Sequence, residues 1–148
     1  MFARRSRLLS SVSSPTNTSE LDQRLDEWIA RIFQTAEADA LVTRSADLPL
    51  YDLLRYHLGY LNVDLQPERV NPGKRIRSKL CAYSSLAAGG NLEPAIPVSA
   101  AIELLHNFTL IHDDIQDRSL LRRHRPTLWA RWGEAQAINA GDALFALA

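Results

Sequence analysis

Apolar residues recur at steps of three and four along most of this chain, which is the spacing of one helix face. Proline and glycine interrupt that pattern, and each interruption marks the end of one predicted helix or the start of the next. No run alternates apolar and polar residues, and no Asn-Gly or Asp-Gly pair offers a hairpin turn, so strands are not expected. The sequence therefore predicts an all-α fold. The predicted helices cover about residues 21–36, 49–61, 74–88, 94 or 97 to 115, and 135–148.

The first nineteen residues differ from the rest in composition. They contain three arginines, six serines and no acidic residue. Organellar transit peptides share that composition, and so does a plain disordered arm. We predict a disordered arm over residues 1–19 and a helical domain over residues 20–148. The protein is then expected in the cytoplasm, whereas a transit peptide at residues 1–19 would send it to an organelle.

Composition narrows the class of protein further. The 148 residues are 46% hydrophobic and 23% charged, which excludes a wholly disordered chain, and 17 basic residues balance 17 acidic ones. That balance gives no electrostatic reason to expect a nucleic-acid partner. The single cysteine, Cys81, excludes an intrachain disulfide and a cysteine-based zinc site. No apolar run approaches the roughly 18 to 20 residues of a membrane span, so no transmembrane segment is predicted.

Three carboxylates lie close together near the end of the fourth predicted helix. Asp113 and Asp117 are one turn apart on one face, and Asp114 lies to one side. His106 and Thr109 share the face of the first pair. Two such carboxylates suit Mg²⁺, which prefers hard oxygen ligands and completes its shell with water and substrate phosphates. A solvated acidic face is the alternative interpretation, since like-charge pairs at this spacing cost only about 0.2 to 0.5 kcal/mol each.

Two groups of cations flank this acidic cluster. Upstream, Lys74, Arg75 and Arg77 open a predicted helix, whose N-terminal N–H groups also attract anions. Downstream, Arg122 and Arg123 follow within about two turns. Carboxylates for a metal, together with two cationic groups, suit diphosphate ligands. A nucleic-acid backbone fits less well, because the acidic cluster would repel it. Each cation taken alone is also typical of an ordinary protein surface.

The chain carries GKRIR at 73–77, His106, IHDDIQD at 111–117, RRHRPT at 122–127 and NAGDAL at 139–144. In their order and spacing, these segments resemble the trans-isoprenyl diphosphate synthases. A DDxxD motif alone is weak, because terpene cyclases and squalene or phytoene synthases also carry aspartate-rich motifs. The combination with an upstream GKRxR and a following Arg-Arg is specific, and the resemblance covers about residues 21–148.

The resemblance implies a fold and a reaction. The fold is an isoprenoid-synthase-type helical bundle around a deep cavity, of which this chain would form the N-terminal half. The reaction is the head-to-tail condensation of isopentenyl diphosphate onto an allylic diphosphate, with Mg²⁺ as cofactor. Members of the family are usually homodimers. The ionised substrate is attacked by the double bond of the second one, so no protein nucleophile is required.

The resemblance also assigns roles to individual residues. Asp113 and Asp117 would bind Mg²⁺, with Asp114 in support, and Arg122 would hold the allylic diphosphate. Bulky residues at the fourth and fifth positions before the first aspartate limit product length in the family, and these positions are Thr109 and Phe108. We therefore expect a C15 to C20 product. The residues expected to hold isopentenyl diphosphate are Lys74, Arg77, His106 and Arg123.

Two departures from the family pattern affect these expectations. Where the family usually has Arg-Arg-Gly, this chain has His124 after its two arginines. Nothing after Asp117 matches the family's second aspartate-rich motif, so we expect an N-terminal fragment that is inactive alone. A non-catalytic, truncated subunit of a heteromeric prenyl synthase is an alternative. A metal-dependent terpene cyclase is another, which the segment 73–77 disfavours because a cyclase binds no second diphosphate.

Overall fold

The computed structural model describes residues 18–39, 50–70 and 72–148 of the chain. Within these ranges the fold is built from α-helices and one short hairpin, which confirms the all-α prediction. Residues 1–17 of the predicted arm lie outside the described residues, and its last two residues, Thr18 and Ser19, are helical. The helices are α1 (Thr18–Asp39), α2 (Leu50–Leu58), α3 (Ile76–Ala87), α4 (Leu92–Gln116), α5 (Leu128–Trp132) and α6 (Glu134–Leu147), and the hairpin pairs β1 (Leu121–Arg122) with β2 (Arg125–Pro126).

Helix α4 lies at the centre and packs against α1, α3, α5 and α6. The apolar stripe predicted on α1 is buried, with Leu21, Leu25 and Ile29 fully inaccessible. Leu104 and Ile111 bring α4 into the same core. Because burial of one apolar stripe per helix drives this assembly, the helical spacing in the sequence was a reliable guide to it.

In the part of the chain that the structure describes, α4 is the one helix with the length and apolar character of a membrane span. The sequence shows no unbroken apolar run of that length, because polar residues such as His106 and Asn107 interrupt it. A core helix of a globular protein meets the same criterion, and α4 buries Ile96, Ala100 and Leu104 against its neighbours.

Two of the differences between predicted and observed helix ends have a cause in the backbone. Helix α2 ends at Leu58 because Gly59 adopts φ +86°, and Leu61, predicted to be helical, instead forms an isolated antiparallel bridge with Pro67. Helix α3 begins at Ile76, two residues later than expected, because Arg75 is left-handed with φ 49°. Such a residue cannot continue a right-handed helix, so Lys74 and Arg75 belong to a loop.

The hairpin corrects the expectation that strands are absent. Leu121 pairs with Pro126 and Arg122 with Arg125. Its two turn residues, Arg123 and His124, have φ values of 52° and 64°. Two consecutive positive φ angles are the mark of a type I′ turn, which normally carries Asn-Gly. The turn was missed because neither residue is one that this geometry favours.

Tertiary contacts explain why the hairpin forms without a favourable turn sequence. Arg125 donates from Nη1 to the Tyr56 carbonyl at 3.0 Å and from Nη2 to the Leu61 carbonyl at 2.6 Å. The Tyr56 hydroxyl donates to the Pro126 carbonyl at 2.8 Å. These bonds fasten β2 to the end of α2, and the hairpin is held beside the C-terminal end of α4.

Candidate functional site

The acidic cluster at the end of α4 divides into exposed and buried carboxylates. Asp113 and Asp117 are exposed, and their side chains form no hydrogen bond or ion pair with any residue that the structure describes. Asp114 is only 3% exposed, and both of its oxygens accept hydrogen bonds from Arg122. The exposed pair can therefore offer oxygens to a metal, whereas Asp114 is committed to an arginine.

Arg122 is held along one edge of its guanidinium. Nε donates to the Asp114 carboxylate oxygens at 2.8 and 3.0 Å, and Nη2 donates at 2.8 Å. Hydrogen bonding to Asp114 is the main reason why the pKa of Arg122 is raised, and the charges of Asp113 and Asp117 add to it. No described residue accepts a hydrogen bond from Nη1. Arg122 is thus a fixed cation whose Nη1 donors are available to an anion.

The donor chemistry of Asp113 and Asp117 fits Mg²⁺. Both supply carboxylate oxygens, and neither is neutralised by a cation bound to it. Among residues 18–39, 50–70 and 72–148, no three His, Cys, Asp or Glu side chains form a ready metal cluster. Since Mg²⁺ keeps several waters and binds substrate phosphates, two protein carboxylates are a reasonable partial set.

The loop before α3 uses one of its cations internally. Arg75 is buried and donates from Nη2 to Asp26 Oδ1 at 2.5 Å and from Nη1 to the Asp22 carbonyl at 3.2 Å. The Tyr60 hydroxyl donates to the same Asp26 oxygen at 2.7 Å. Burial alone would raise the pKa of Asp26, but these hydrogen bonds outweigh it and hold the pKa below its usual value. Arg75 therefore ties the loop to α1, and Lys74 remains exposed.

Two of the residues predicted to bind isopentenyl diphosphate, one on α3 and one on α4, contact each other. Arg77 donates from Nη1 to His106 Nε2 at 3.2 Å. Burial, followed by the charge of Arg77, lowers the pKa of His106, and Glu103 opposes the shift. The imidazole is thus neutral near pH 7, with its Nε2 lone pair facing a guanidinium.

Arg123 brings the hairpin to the loop before α3. A Cβ at Gly73 would lie 2.8 Å from Arg123 Nη2 and 3.0 Å from Cζ, so the guanidinium lies directly on the glycine. Gly73 also has φ +89°, a conformation that other residues rarely adopt. Burial lowers the pKa of Arg123, although an arginine stays charged in proteins. The two cationic groups of the sequence are therefore adjacent in the fold.

A buried polar layer that the sequence did not predict lies beside these cations. Glu103 is 3% exposed and accepts hydrogen bonds from Ser78 and Asn107. His57 Nε2 is buried, and burial, with the charges of three arginines, lowers the pKa of His57 to about 3, while its interaction with Asn107 opposes the shift. His57 lines a cavity of about 20 Å³ together with Arg122 and others. The sequence feature that could have revealed this layer is the presence of polar residues at core positions of the apolar helix α4.

The two residues predicted to limit product length point in different directions. Phe108 is half-buried, with its ring centroid 4.7 Å from that of His112 and 5.2 Å from that of Phe145 on α6. Thr109 is exposed, and its hydroxyl donates to the His106 carbonyl at 2.8 Å. Phe108 thus packs against α6, while Thr109 lies on the face of Asp113. Their role in product length remains a prediction.

Comparison with known proteins identifies relatives in one family. The family model described as polyprenyl synthetase matches residues 66–148. A (2E,6E)-farnesyl diphosphate synthase of Mycobacterium tuberculosis is 48% identical over 96 residues, which are 65% of this chain and 27% of that protein. A geranylgeranyl diphosphate synthase of the same organism is 48% identical over 100 residues, 68% of this chain and 29% of that protein.

A solved structure of similar fold is the polyprenyl synthetase from Streptomyces coelicolor A3(2). Its TM-score is 0.68 at 36% identity, over 88% of this chain and 37% of that one. The geranylgeranyl pyrophosphate synthetase of Geoglobus acetivorans gives 0.62 at 31% identity, over 86% and 36% of the two chains. These likenesses confirm the expected isoprenoid-synthase helical fold. The chain spans about 27% to 29% of the length of these curated relatives. Since the family model covers more than half of its residues, the chain belongs to the polyprenyl synthetase family.

Proposed function

We propose that this chain supplies diphosphate-binding residues of a prenyltransferase that condenses isopentenyl diphosphate with an allylic diphosphate. The observation that carries the proposal is the placement of the two consecutive hairpin arginines. Arg122 is bonded to Asp114 in the acidic cluster, and Arg123 lies on Gly73 in the cationic loop. One short hairpin therefore joins a carboxylate pair suited to a metal with a cationic group suited to a second diphosphate.

This arrangement suits a reaction in which pyrophosphate leaves. As the allylic C–O bond breaks, negative charge collects on the departing diphosphate, and fixed cations stabilise it. Mg²⁺ bound by Asp113 and Asp117 would supply further positive charge to that group. Arg122, oriented by Asp114, would donate to the same diphosphate from Nη1. The double bond of isopentenyl diphosphate then attacks the allylic carbon, and the cation that this leaves loses a proton to a base, such as the released pyrophosphate, to form the new double bond.

The second diphosphate does not change its charge during the reaction. Lys74, Arg77, His106 and Arg123 would hold it equally in the ground and transition states, so their contribution is mainly to affinity. His106, neutral near pH 7, would position Arg77 through their shared hydrogen bond. We extend the proposal to a C15 to C20 product, because the relatives reported above include proteins named farnesyl and geranylgeranyl diphosphate synthase.

Binding of inorganic pyrophosphate to the 148-residue chain tests the proposal. We expect calorimetry to show binding that Mg²⁺ strengthens, and the double change Asp113→Asn with Asp117→Asn to remove the strengthening. Glu93→Gln is the control for removing an exposed acid from the same helix, and it also removes the ion pair between Glu93 and Arg24. Absence of pyrophosphate binding, or equal behaviour of the double variant and the control, would refute the proposal.

Incubation with isopentenyl and dimethylallyl diphosphates and Mg²⁺ tests the remaining expectations. With one carboxylate pair, we expect the chain alone to bind these substrates without turnover. Formation of a C10 or longer diphosphate by the chain alone would contradict this. A cyclised hydrocarbon formed from an allylic diphosphate alone would instead support the terpene cyclase alternative.

A further inference from the structure

A small polar cavity lies where α2 and the end of α4 meet the hairpin. Its volume is about 20 Å³. A buried water molecule needs roughly 10 to 15 Å³ of such space and two to four polar partners. The cavity is therefore large enough for one water and too small for a diphosphate. Its lining includes His57 from α2, Asp114 from α4, and Arg122, Arg123 and Arg125 from the hairpin.

The His57 imidazole contributes a polar atom that is buried and unpaired. Its Nε2 forms no hydrogen bond with any residue that the structure describes. Asn107 interacts with the same ring, but Asn107 Oδ1 is also buried without a hydrogen bond, so these two atoms are not bonded to each other. Because an unpaired buried polar atom is costly, a bridging water is favoured wherever there is room for one.

The hairpin contributes the complementary donor. Arg125 already bonds two backbone carbonyls, and Arg122 bonds Asp114 through Nε and Nη2. No described residue accepts a hydrogen bond from Arg122 Nη1. Burial, and after it the charges of the three lining arginines, lowers the pKa of His57 to about 3, so the imidazole is neutral near pH 7. A neutral imidazole carries a lone pair on one nitrogen, and this is the acceptor that a guanidinium lacks.

We propose that the cavity binds one ordered water, which accepts a hydrogen bond from Arg122 Nη1 and donates one to His57 Nε2. The proton of the imidazole is then on Nδ1, and the water links α2 to the hairpin. Nη1 carries two protons, so the second stays available to a diphosphate. The inference goes beyond the proposed function and does not require it, because it concerns the chain without ligand.

The tautomer of His57 provides the first test. Long-range proton–nitrogen correlation spectra of the 148-residue chain at pH 7, without ligand, distinguish protonated from unprotonated ring nitrogens. The His57 signals are assigned by their disappearance in His57→Phe. We expect Nε2 to be unprotonated and Nδ1 to be protonated. A protonated Nε2 would show that it is a donor, as in a direct bond to Asn107 Oδ1, and would overturn the proposal.

The water itself provides the second test. A water held in the cavity should give a nuclear Overhauser effect to Hδ2 and Hε1 of His57, the ring protons on either side of Nε2. No such effect in the wild-type chain would overturn the proposal. In a crystal structure the same water should occupy the cavity, whereas an anomalous peak there after a bromide soak would show an anion in its place and refute the inference.

Asn107→Leu is the matched control for the direct bond. Leucine is close to asparagine in shape, the change removes Oδ1, and Asn107 does not line the cavity. Both the water signal and the His57 tautomer should therefore persist in Asn107→Leu. A change of tautomer in this variant would show that Asn107, and not a water, is the partner of Nε2. Should the variant fail to fold, the tautomer and the water signal of the wild-type chain still decide.

Discussion

Replacing Gly73 by alanine is a direct way to disturb the contact between the hairpin and the cationic loop. The new Cβ would lie 2.8 Å from Arg123 Nη2 and 3.0 Å from Cζ, both shorter than ordinary van der Waals contact. The Arg123 guanidinium must therefore move away from residue 73. If Arg123 makes one or two hydrogen bonds to a diphosphate, each worth about 1.5 kcal/mol or more, affinity should fall about tenfold to a hundredfold.

Gly89 supplies a matched control for backbone strain. It has φ +82°, close to the +89° of Gly73, but nothing lies within 4 Å of the position of its Cβ. Alanine in a left-handed conformation costs about 1 to 2 kcal/mol at either site, so both variants should lose comparable stability. Only Gly73→Ala should also lose affinity for pyrophosphate.

The assay pairs isothermal titration calorimetry of pyrophosphate with urea unfolding of the same samples. The expected pattern is a similar fall in the free energy of unfolding for both variants and a fall in affinity for Gly73→Ala alone. Equal affinities in the two variants would show that Arg123 does not bind the ligand, or that its position against Gly73 is immaterial.

Three further predictions concern α2, α4 and α6. Gly141→Ala should lower the free energy of unfolding by about 1 to 3 kcal/mol in urea titrations, because its Cβ would overlap the His112 ring at Nε2; an unchanged value would contradict the packing. Phe108→Ala, made in a catalytically complete enzyme containing this sequence, should lengthen the product, and unchanged chain length would refute its role. Because the pKa of His57 falls from 6.5 to about 3 on folding, the unfolded state takes up a proton first as pH falls. Stability should therefore be lost below about pH 6.5, by up to about 1.4 kcal/mol per pH unit, and a profile unchanged by His57→Gln would exclude this origin.

The parts of the fold that the sequence predicted are those governed by local spacing. The stripe on α1 and the long helix α4 follow from apolar residues at helical intervals, and both form as expected. The hairpin does not follow from local spacing, because its turn residues disfavour the geometry that they adopt. It depends on bonds from Arg125 to carbonyls of Tyr56 and Leu61, about 65 residues away in the chain.

The same distinction applies to the candidate site. Residue types and spacing identified the acidic cluster and both cationic groups, since metal and diphosphate chemistry require those side chains. They did not show that Asp114 is paired with Arg122 or that Arg75 is paired with Asp26. Nor did they show that Glu103 is buried and accepts hydrogen bonds from Ser78 and Asn107. Pairing of this kind is decided by tertiary packing.

In the candidate site, two residues that are adjacent in sequence often have different roles, one buried and one exposed. Asp114 is buried against Arg122 while Asp113 is exposed, and Arg75 is buried against Asp26 while Lys74 is exposed. In each pair the buried residue fixes the backbone from which its neighbour projects. A ligand then meets side chains whose backbone is already ordered, and less conformational entropy is lost on binding. Loss of an exposed residue should remove one contact with the ligand, whereas loss of a buried residue should loosen its whole loop or helix end. Changes at Arg75 or Asp114 should therefore weaken pyrophosphate binding, although neither side chain needs to touch the ligand.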